Sequence, residues 1–202
     1  MLIQIIPFLT ASILLTLSPG PDIIYVLVQS ISNGKKAGIV TTLGLVSGIL
    51  IHTSLVAFGV SAIIKASPIL FTLIKIFGAV YLFYLAYKVF KSDSSIAIND
   101  VPAKRSRNLF RQGFIMNVLN PKVTIFFLAF FPGFLWEPNG NTVLQFYILG
   151  FLFLLQALLI FGTVALLAGK ISGYLLQHEK SGSILKWIQI VVFIGIGIMI
   201  VL

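Results

Sequence analysis

Asp22 and Lys122 are the residues whose types and positions in this sequence point most directly to chemistry. Each lies inside a long apolar run and directly follows a proline, Pro21 in one run and Pro121 in the other. A single charge near the centre of a membrane helix costs about 2.5–3.5 kcal/mol on insertion scales, so such charges are kept for a purpose. We therefore expect Asp22 and Lys122 to approach one another, directly or through water, and to bind a charged small molecule or a proton.

Three amide side chains fall at a similar depth in the apolar runs. Asn117 and Asn120 are three residues apart, so they lie on one helix face just before Pro121. We expect this asparagine pair to take part in the same site as Lys122. Gln156, midway along a later apolar run, is expected to bridge helices rather than to bind substrate.

A histidine follows two glycines at helical spacing. Gly44, Gly48 and His52 recur every four residues, which places them on one face of a helix. Glycines at this spacing allow a neighbouring membrane helix to approach closely, so His52 should point into the bundle. Two interpretations of His52 remain open, a hydrogen-bonded packing residue and a proton carrier.

The composition indicates that these residues are positioned by membrane helices. The chain has 202 residues, of which 58% are hydrophobic and 9% charged, and its mean hydropathy is +1.08. An ordinary soluble domain is about 25% charged, so too little polar surface exists here to cover a globule in water. We predict an all-α integral membrane protein in a single membrane domain, residues 1–202. Its six predicted spans lie near residues 3–31, 37–64, 68–90, 113–135, 143–169 and 184–202.

The first and fourth spans are predicted to be broken by proline. A continuous helix over residues 3–31 would measure about 43 Å, against about 30 Å of hydrocarbon. Pro19 and Pro121 each interrupt the first of three spans and are half the chain length apart. Two groups of three spans cross the membrane in opposite directions, which is typical of inverted-repeat transporters with a site at the broken helices. The alternative is two unrelated proline kinks.

The basic residues predict how the chain is oriented. Residues 1–90 form the predicted first repeat, 91–112 a cytoplasmic loop and 113–202 the second repeat. Most of the 14 lysine and arginine residues fall in or beside the first, third and fifth connections. The positive-inside rule therefore predicts that these three loops are cytoplasmic and that both termini lie outside.

Several classes of function are excluded or disfavoured by the composition. The chain has no cysteine, two histidines and five acids, so no thiolate site, disulfide or dense metal cage is expected. The net charge of +9 does not indicate nucleic-acid binding, because the basic residues are spread between apolar runs. An intramembrane enzyme would need a nucleophile with its base, paired carboxylates or a metal, and the sequence does not supply them convincingly.

Several blocks of this sequence resemble the lysine exporter (LysE/RhtB) family along essentially the whole chain. The blocks are residues 18–22 with 34–38, 75–82, 113–122 and 131–134, in that order. The resemblance implies an exporter of amino acids or related metabolites in the inner membrane of a bacterium, driven by protons and without a cofactor. The family positions carried over are Ser18, Pro19, Gly20, Pro21, Asp22, Gly78, Tyr81, Asn117, Asn120, Pro121 and Lys122.

These observations together favour a secondary exporter. In this hypothesis the half-helix after Pro21 receives a substrate carboxylate, Asp22 binds the substrate ammonium or a proton, and Lys122 alternates between Asp22 and substrate. His52, Tyr81 and Gln156 are candidates for a supporting role around the site. The rival hypotheses are an ion or metal-cation exporter or a channel, and, less favoured, an intramembrane enzyme. A homo-oligomer in the bilayer is compatible with the sequence.

Overall fold

A computed structural model describes residues 2–93, 106–178 and 180–201 of the chain. Apart from short turns these residues are helical, with no strand among them, which confirms the predicted all-α class. The predicted loop of residues 91–112 falls largely on 94–105, which lie outside the described residues.

The first half of the described chain contains two consecutive short helices followed by two long ones. Helix α1 (Leu2–Leu17) and helix α2 (Pro21–Asn33) meet at an angle of 53°. Gly34, with a φ of 83°, links α2 to α3 (Lys35–Leu55) in a backbone conformation that other residues rarely adopt. The next elements are a π-helical turn, Val56–Val60, then α4 (Ser61–Ala66) and α5 (Pro68–Lys91).

The second half begins with another bent pair. Helix α6 (Ser106–Val118) is followed by α7 (Pro121–Ile125). The angle between α6 and the helical stretch Pro121–Phe134, which begins with α7, is 46°. Beyond α7 the helix first widens in the π-helical segment Phe126–Phe130 and then tightens in the 3₁₀ turn Phe131–Phe134. Two long helices complete the described chain, α8 (Thr142–Gln177) and α9 (Ser181–Val201).

Four of these helical stretches are long and apolar enough to cross a membrane, and the number rises to six if each bent pair counts as one span. The predicted span edges agree closely except at the end of the fifth span and the start of the fourth. Helix α8 continues to Gln177, eight residues beyond the predicted end at 169. Helix α6 begins at Ser106, although residues up to 112 were predicted to form a loop. Leu109 explains the difference, because its side chain is buried and holds this polar first turn against the bundle.

Glycines on α3 let α6 pack directly against it. A Cβ atom on Gly44 would collide with the carbonyl oxygen of Phe110, and one on Gly48 would lie 2.6 Å from Asn117 Oδ1. A Cβ atom on Gly113 of α6 would in turn lie 2.5 Å from the carbonyl oxygen of Thr41. The close approach places the end of α6, and with it Asn117, beside the middle of α3.

A cluster of eight phenylalanines fills the bundle beyond the second break. We call it the phenylalanine cluster; its members are Phe8, Phe126, Phe127, Phe130, Phe131, Phe134, Phe146 and Phe153, all buried. Phe127 stacks on Phe131 with ring centroids 4.2 Å apart, and Phe8 meets Phe131 edge to face at 5.0 Å. Such ring contacts add about 0.5–1.5 kcal/mol per pair to the burial of the rings. This end of the bundle is therefore tightly closed.

Candidate functional site

Each bent pair of helices is interrupted over two or three residues, and each new helix begins with a proline. Pro21 is the first residue of α2 and Pro121 the first residue of α7. Proline suits this position because its missing N–H would have no partner there. The charged residue follows directly in both, so Asp22 and Lys122 lie in the first turns of the two half-helices.

The two breaks are joined by crosswise hydrogen bonds. Lys122, at the start of α7, donates from Nζ to the carbonyl oxygen of Ser18 beyond the end of α1, at 2.8 Å. Asn117, near the end of α6, donates from Nδ2 to Asp22 Oδ2 at the start of α2, at 3.3 Å. Each helix start is thus served by a group from the other break. Both charged side chains are buried.

The charges lie around one small cavity of about 30 Å³, which has room for about one water molecule. Ser18, Gly20, Asp22, Asn117, Asn120 and Lys122 all line it, so the structure brings together these predicted residues. Lys122 Nζ bonds Ser18 rather than the Asp22 carboxylate. The pair predicted from sequence therefore shares a cavity without the two charged groups being hydrogen-bonded to each other.

Several buried polar atoms around this cavity have no hydrogen-bond partner among the described residues. They are Asp22 Oδ1, Asn117 Oδ1 and Ser18 Oγ. An unsatisfied buried polar group costs about 1–3 kcal/mol, and native proteins keep few of them without a reason. The three atoms provide the site with unused hydrogen-bonding capacity, of the kind that a polar ligand would satisfy.

His52 and Gln156 support the site from neighbouring helices. His52 Nε2 lies 3.0 Å from the carbonyl oxygen of Asn117, at the end of α6, and its ring packs 5.4 Å from that of Phe127. Gln156 of α8 donates from Nε2 to Thr16 Oγ1 of α1 at 3.0 Å, so it bridges two helices. Both side chains are buried.

Besides His52 and Gln156, four of the predicted site residues do not line the small cavity. Pro19 lines a separate, larger cavity, and Pro21 and Pro121 line another next to it. Tyr81 is half-buried on α5, where its ring contacts those of Phe77 and Tyr84 on the same helix. The structure therefore gives Tyr81 a packing environment on α5 rather than a place around the charged residues.

The two larger cavities lie between the breaks and the end of α5. One, of about 300 Å³, is lined by residues of α2, α5, α8 and α9, and the other measures about 310 Å³. Gln189 of α9 lines both, and the sequence analysis did not identify it. The signal was a glutamine within the apolar sequence of α9, which lies in its first half rather than at a break.

No group of three or more His, Asp or Glu side chains comes together within the described residues. The polar groups around the small cavity are one carboxylate, two asparagine amides, two hydroxyls and one ammonium. It suits hydrogen bonding to a charged organic molecule better than coordination of a transition metal, which prefers imidazole or thiolate ligands.

Comparison with known proteins identifies relatives along almost the whole chain. A family model described as LysE type translocator matches residues 13–202. The chain is 29% identical to a protein of Bacillus subtilis (strain 168) named uncharacterized membrane protein YrhP, over 96% of this chain and 97% of that one. No solved protein structure matches the chain.

Two further relatives carry a functional name. The homoserine/homoserine lactone efflux protein of Salmonella typhimurium (strain LT2) is 30% identical, over 83% of this chain and 82% of its own. The protein of the same name from Salmonella typhi is 31% identical over the same shares.

Proposed function

This chain belongs to the LysE type translocator family, and we propose from that premise that it is a secondary exporter of amino acids or related small metabolites. Homoserine and homoserine lactone, the compounds named for two of its relatives, are the first candidate substrates. The family is one of translocators rather than of enzymes. The proposal places the protein in the cytoplasmic membrane, with its substrate moving outward.

The observation that carries the proposal is the small cavity, which is lined by a carboxylate at the start of α2 and an ammonium group at the start of α7. A zwitterionic amino acid has the complementary pair of charges. Its ammonium group would bind Asp22 Oδ1, which has no hydrogen-bond partner in the described structure, and its carboxylate would bind Lys122. Lys122 would then exchange its bond to the Ser18 carbonyl oxygen for one to the substrate.

The size of the cavity requires a conformational change in this mechanism. About 30 Å³ holds about one water molecule but no amino acid, so the described conformation leaves no room for a substrate in this cavity. We propose that residues 1–90 and 113–202 are inverted repeats, and that rocking of one against the other opens the site to each side in turn. The connections after α2, α5 and α8 face the cytoplasm in this arrangement, and both termini lie outside.

Proton coupling is the proposed source of energy. Asp22 is the group best placed to alternate between a proton and a substrate ammonium, because one of its oxygens is held by Asn117 and the other is unpaired. His52 contacts the carbonyl oxygen of Asn117, the residue that binds Asp22, and is the second candidate proton carrier.

The test is transport by the purified protein in proteoliposomes loaded with a panel of amino acids that includes homoserine and its lactone. We expect efflux of at least one compound, accelerated by an imposed pH gradient, and counterflow in which unlabelled substrate on one side drives uptake of labelled substrate. Efflux without substrate-specific counterflow would indicate a channel instead. An efflux rate that is the same with and without the pH gradient would contradict proton coupling.

A further inference from the structure

A continuous series of lining residues leads from the end of α5 to the charged cavity. The 300 Å³ and 310 Å³ cavities share Val89, Ser92 and Gln189. The 310 Å³ cavity and the small cavity of about 30 Å³ in turn share Gly20, Asn120 and Lys122. We refer to the two larger cavities together as the vestibule.

The charged groups that line the vestibule are predominantly basic. Lys88 and Lys122 line one of its cavities, and Lys186 and Asp93 line the other. Lys186 donates from Nζ to the carbonyl oxygen of Ser92 at 2.7 Å, which holds the start of α9 against the end of α5. Three ammonium groups against one carboxylate give the vestibule a positive potential, which attracts anionic groups.

Gln189 lies between the basic mouth and Lys122. It is half-buried. A glutamine amide has two N–H donors and a carbonyl acceptor, so it can bind either end of a zwitterion. A polar side chain that lines both cavities would help to fix the orientation of a passing solute.

Another wall of the small cavity is packed with aromatic rings. Phe153 lines the cavity and contacts Phe126 and Phe127, with ring centroids 5.5 Å and 5.2 Å apart. These rings belong to the phenylalanine cluster, which is buried throughout. By contrast, Lys122 also lines the 310 Å³ cavity, which extends to Lys88 and Ser92 at the end of α5.

We infer that the vestibule is the entry site for substrate and that it binds the carboxylate end first. Lys88 attracts the carboxylate at the mouth, Gln189 orients it, and Lys122 receives it at the inner end. The ammonium group follows and reaches Asp22. This inference rests on the proposed export function for its direction and its substrate, whereas the charge and accessibility of the vestibule are independent of both.

Single-cysteine labelling tests the vestibule without any assumption about substrate, because the chain has no cysteine of its own. Gln189→Cys places a thiol inside the vestibule. Ser183→Cys places a matched thiol on the exposed surface of the same helix. Each is treated in membrane vesicles of known orientation with an anionic and a cationic methanethiosulfonate reagent, and the ratio of the two labelling rates is compared.

We expect the anionic reagent to be favoured at Gln189→Cys over Ser183→Cys by about two- to fivefold, the effect of one or two solvated charges. The preference should decrease when Lys88→Gln is added and should fall with rising salt concentration. Equal ratios at the two positions would overturn the basic vestibule. Labelling of Gln189→Cys only from the face opposite the end of α5 would overturn its role as an entry.

Transport then tests the order of binding. Homoserine has a free carboxylate, whereas in homoserine lactone the carboxyl group is tied up in a ring ester. We expect Lys88→Gln to raise the KM for homoserine about two- to fivefold and not to raise the KM for the lactone, which has no carboxylate for Lys88 to attract. An equal increase for both compounds would contradict binding by the carboxylate. If neither compound is transported, the proposed substrates are wrong, while the labelling ratios still decide whether the vestibule exists.

Discussion

The break between α1 and α2 places Asp22 one residue after the helix-starting Pro21, whereas the break between α6 and α7 places Lys122 one residue after Pro121. The backbone plan is the same and the charge is opposite. A carboxylate is favoured at a helix N-terminus by about 0.3–1 kcal/mol, and an ammonium is disfavoured there. The second break tolerates its lysine because the side chain reaches across to the carbonyl oxygen of Ser18.

The two breaks also differ in how the new helix is capped. Asn120 accepts a hydrogen bond from the backbone N–H of Lys122 at 3.0 Å, so the start of α7 is satisfied by its own side chain. Gly20 precedes α2 and provides no side-chain cap. The start of α7 is therefore capped by a side chain of its own break, whereas the start of α2 has no side-chain cap and Asp22 Oδ1 has no partner among the described residues.

The largest effect is expected from neutralising Asp22, the acidic residue at the first break. Asp22→Asn keeps the size of the side chain but removes the charge that would bind the substrate ammonium or a proton. A charged hydrogen-bonding partner contributes about 1.5–3 kcal/mol, so we expect the rate of export to fall by about 10- to 100-fold. Efflux from proteoliposomes measures this. Normal export by a correctly inserted Asp22→Asn protein would exclude Asp22 from the mechanism, and Asp22→Glu is the control that retains the charge.

Removing both charges tests whether they act together. We expect Lys122→Gln to reduce export nearly as strongly as Asp22→Asn, and the double variant to be little worse than either, because both charges hold the same substrate. The coupling energy from this double-mutant cycle should be about 0.5–3 kcal/mol. Additive losses in the double variant would mean that the two breaks contribute independently.

The packing that brings Asn117 to the first break provides a third test. Gly48→Ala would place a methyl group 2.6 Å from Asn117 Oδ1, so either the side chain or helix α6 must shift. We expect a destabilisation of about 1–3 kcal/mol, measured by thermal unfolding in detergent. Gly162→Ala is the matched control, because a Cβ atom there meets no atom within 4 Å. A Gly48→Ala protein as stable as this control would argue against tight contact between α3 and α6.

The smallest effects should come from the residues that cap the two new helices. Asn120→Ala removes the side-chain cap of α7 and should lower the free energy of unfolding by about 1 kcal/mol. Gly20→Ala adds a methyl group 3.5 Å from Lys122 Nζ, an ordinary contact, and removes no cap, so its effect on stability should be within about 0.5 kcal/mol. Denaturation of both proteins in detergent measures the difference, and equal losses would remove the distinction between a capped and an uncapped break.

Much of the helical arrangement could be predicted from the sequence, because apolar runs of membrane length and their polar connections are local signals. The gathering of residues 18–22 and 117–122 around one cavity is harder to foresee, since it depends on packing between α1, α2, α6 and α7. Pro19 was predicted to be the counterpart of Pro121, but in the structure it is Pro21 that begins a helix as Pro121 does. Two prolines so close together give no local signal of which one starts the helix.

Other features depend on tertiary contacts that one sequence does not reveal. The acceptor of Lys122 is the backbone carbonyl of Ser18, a group that every residue has and that only the fold brings within reach. The π-helical segment Phe126–Phe130 reads as ordinary apolar helix in the sequence. Gln189 lies in the interior of α9, and its position on the vestibule wall depends on how α9 packs against α5.

The length of α8 has a mechanical consequence. Its 36 residues measure about 54 Å along the axis, well beyond the hydrocarbon thickness of about 30 Å. The hydrogen bond from Gln156 to Thr16 holds α8 to α1 near the midpoint of α8, which could therefore act as a pivot. A tilt of about 10° around that point would swing the Gln177 end through about 5 Å. Because Ile171 and Leu175 of that arm form part of the vestibule wall, a slight angular motion deep in the bilayer would be amplified into a change of aperture at its surface.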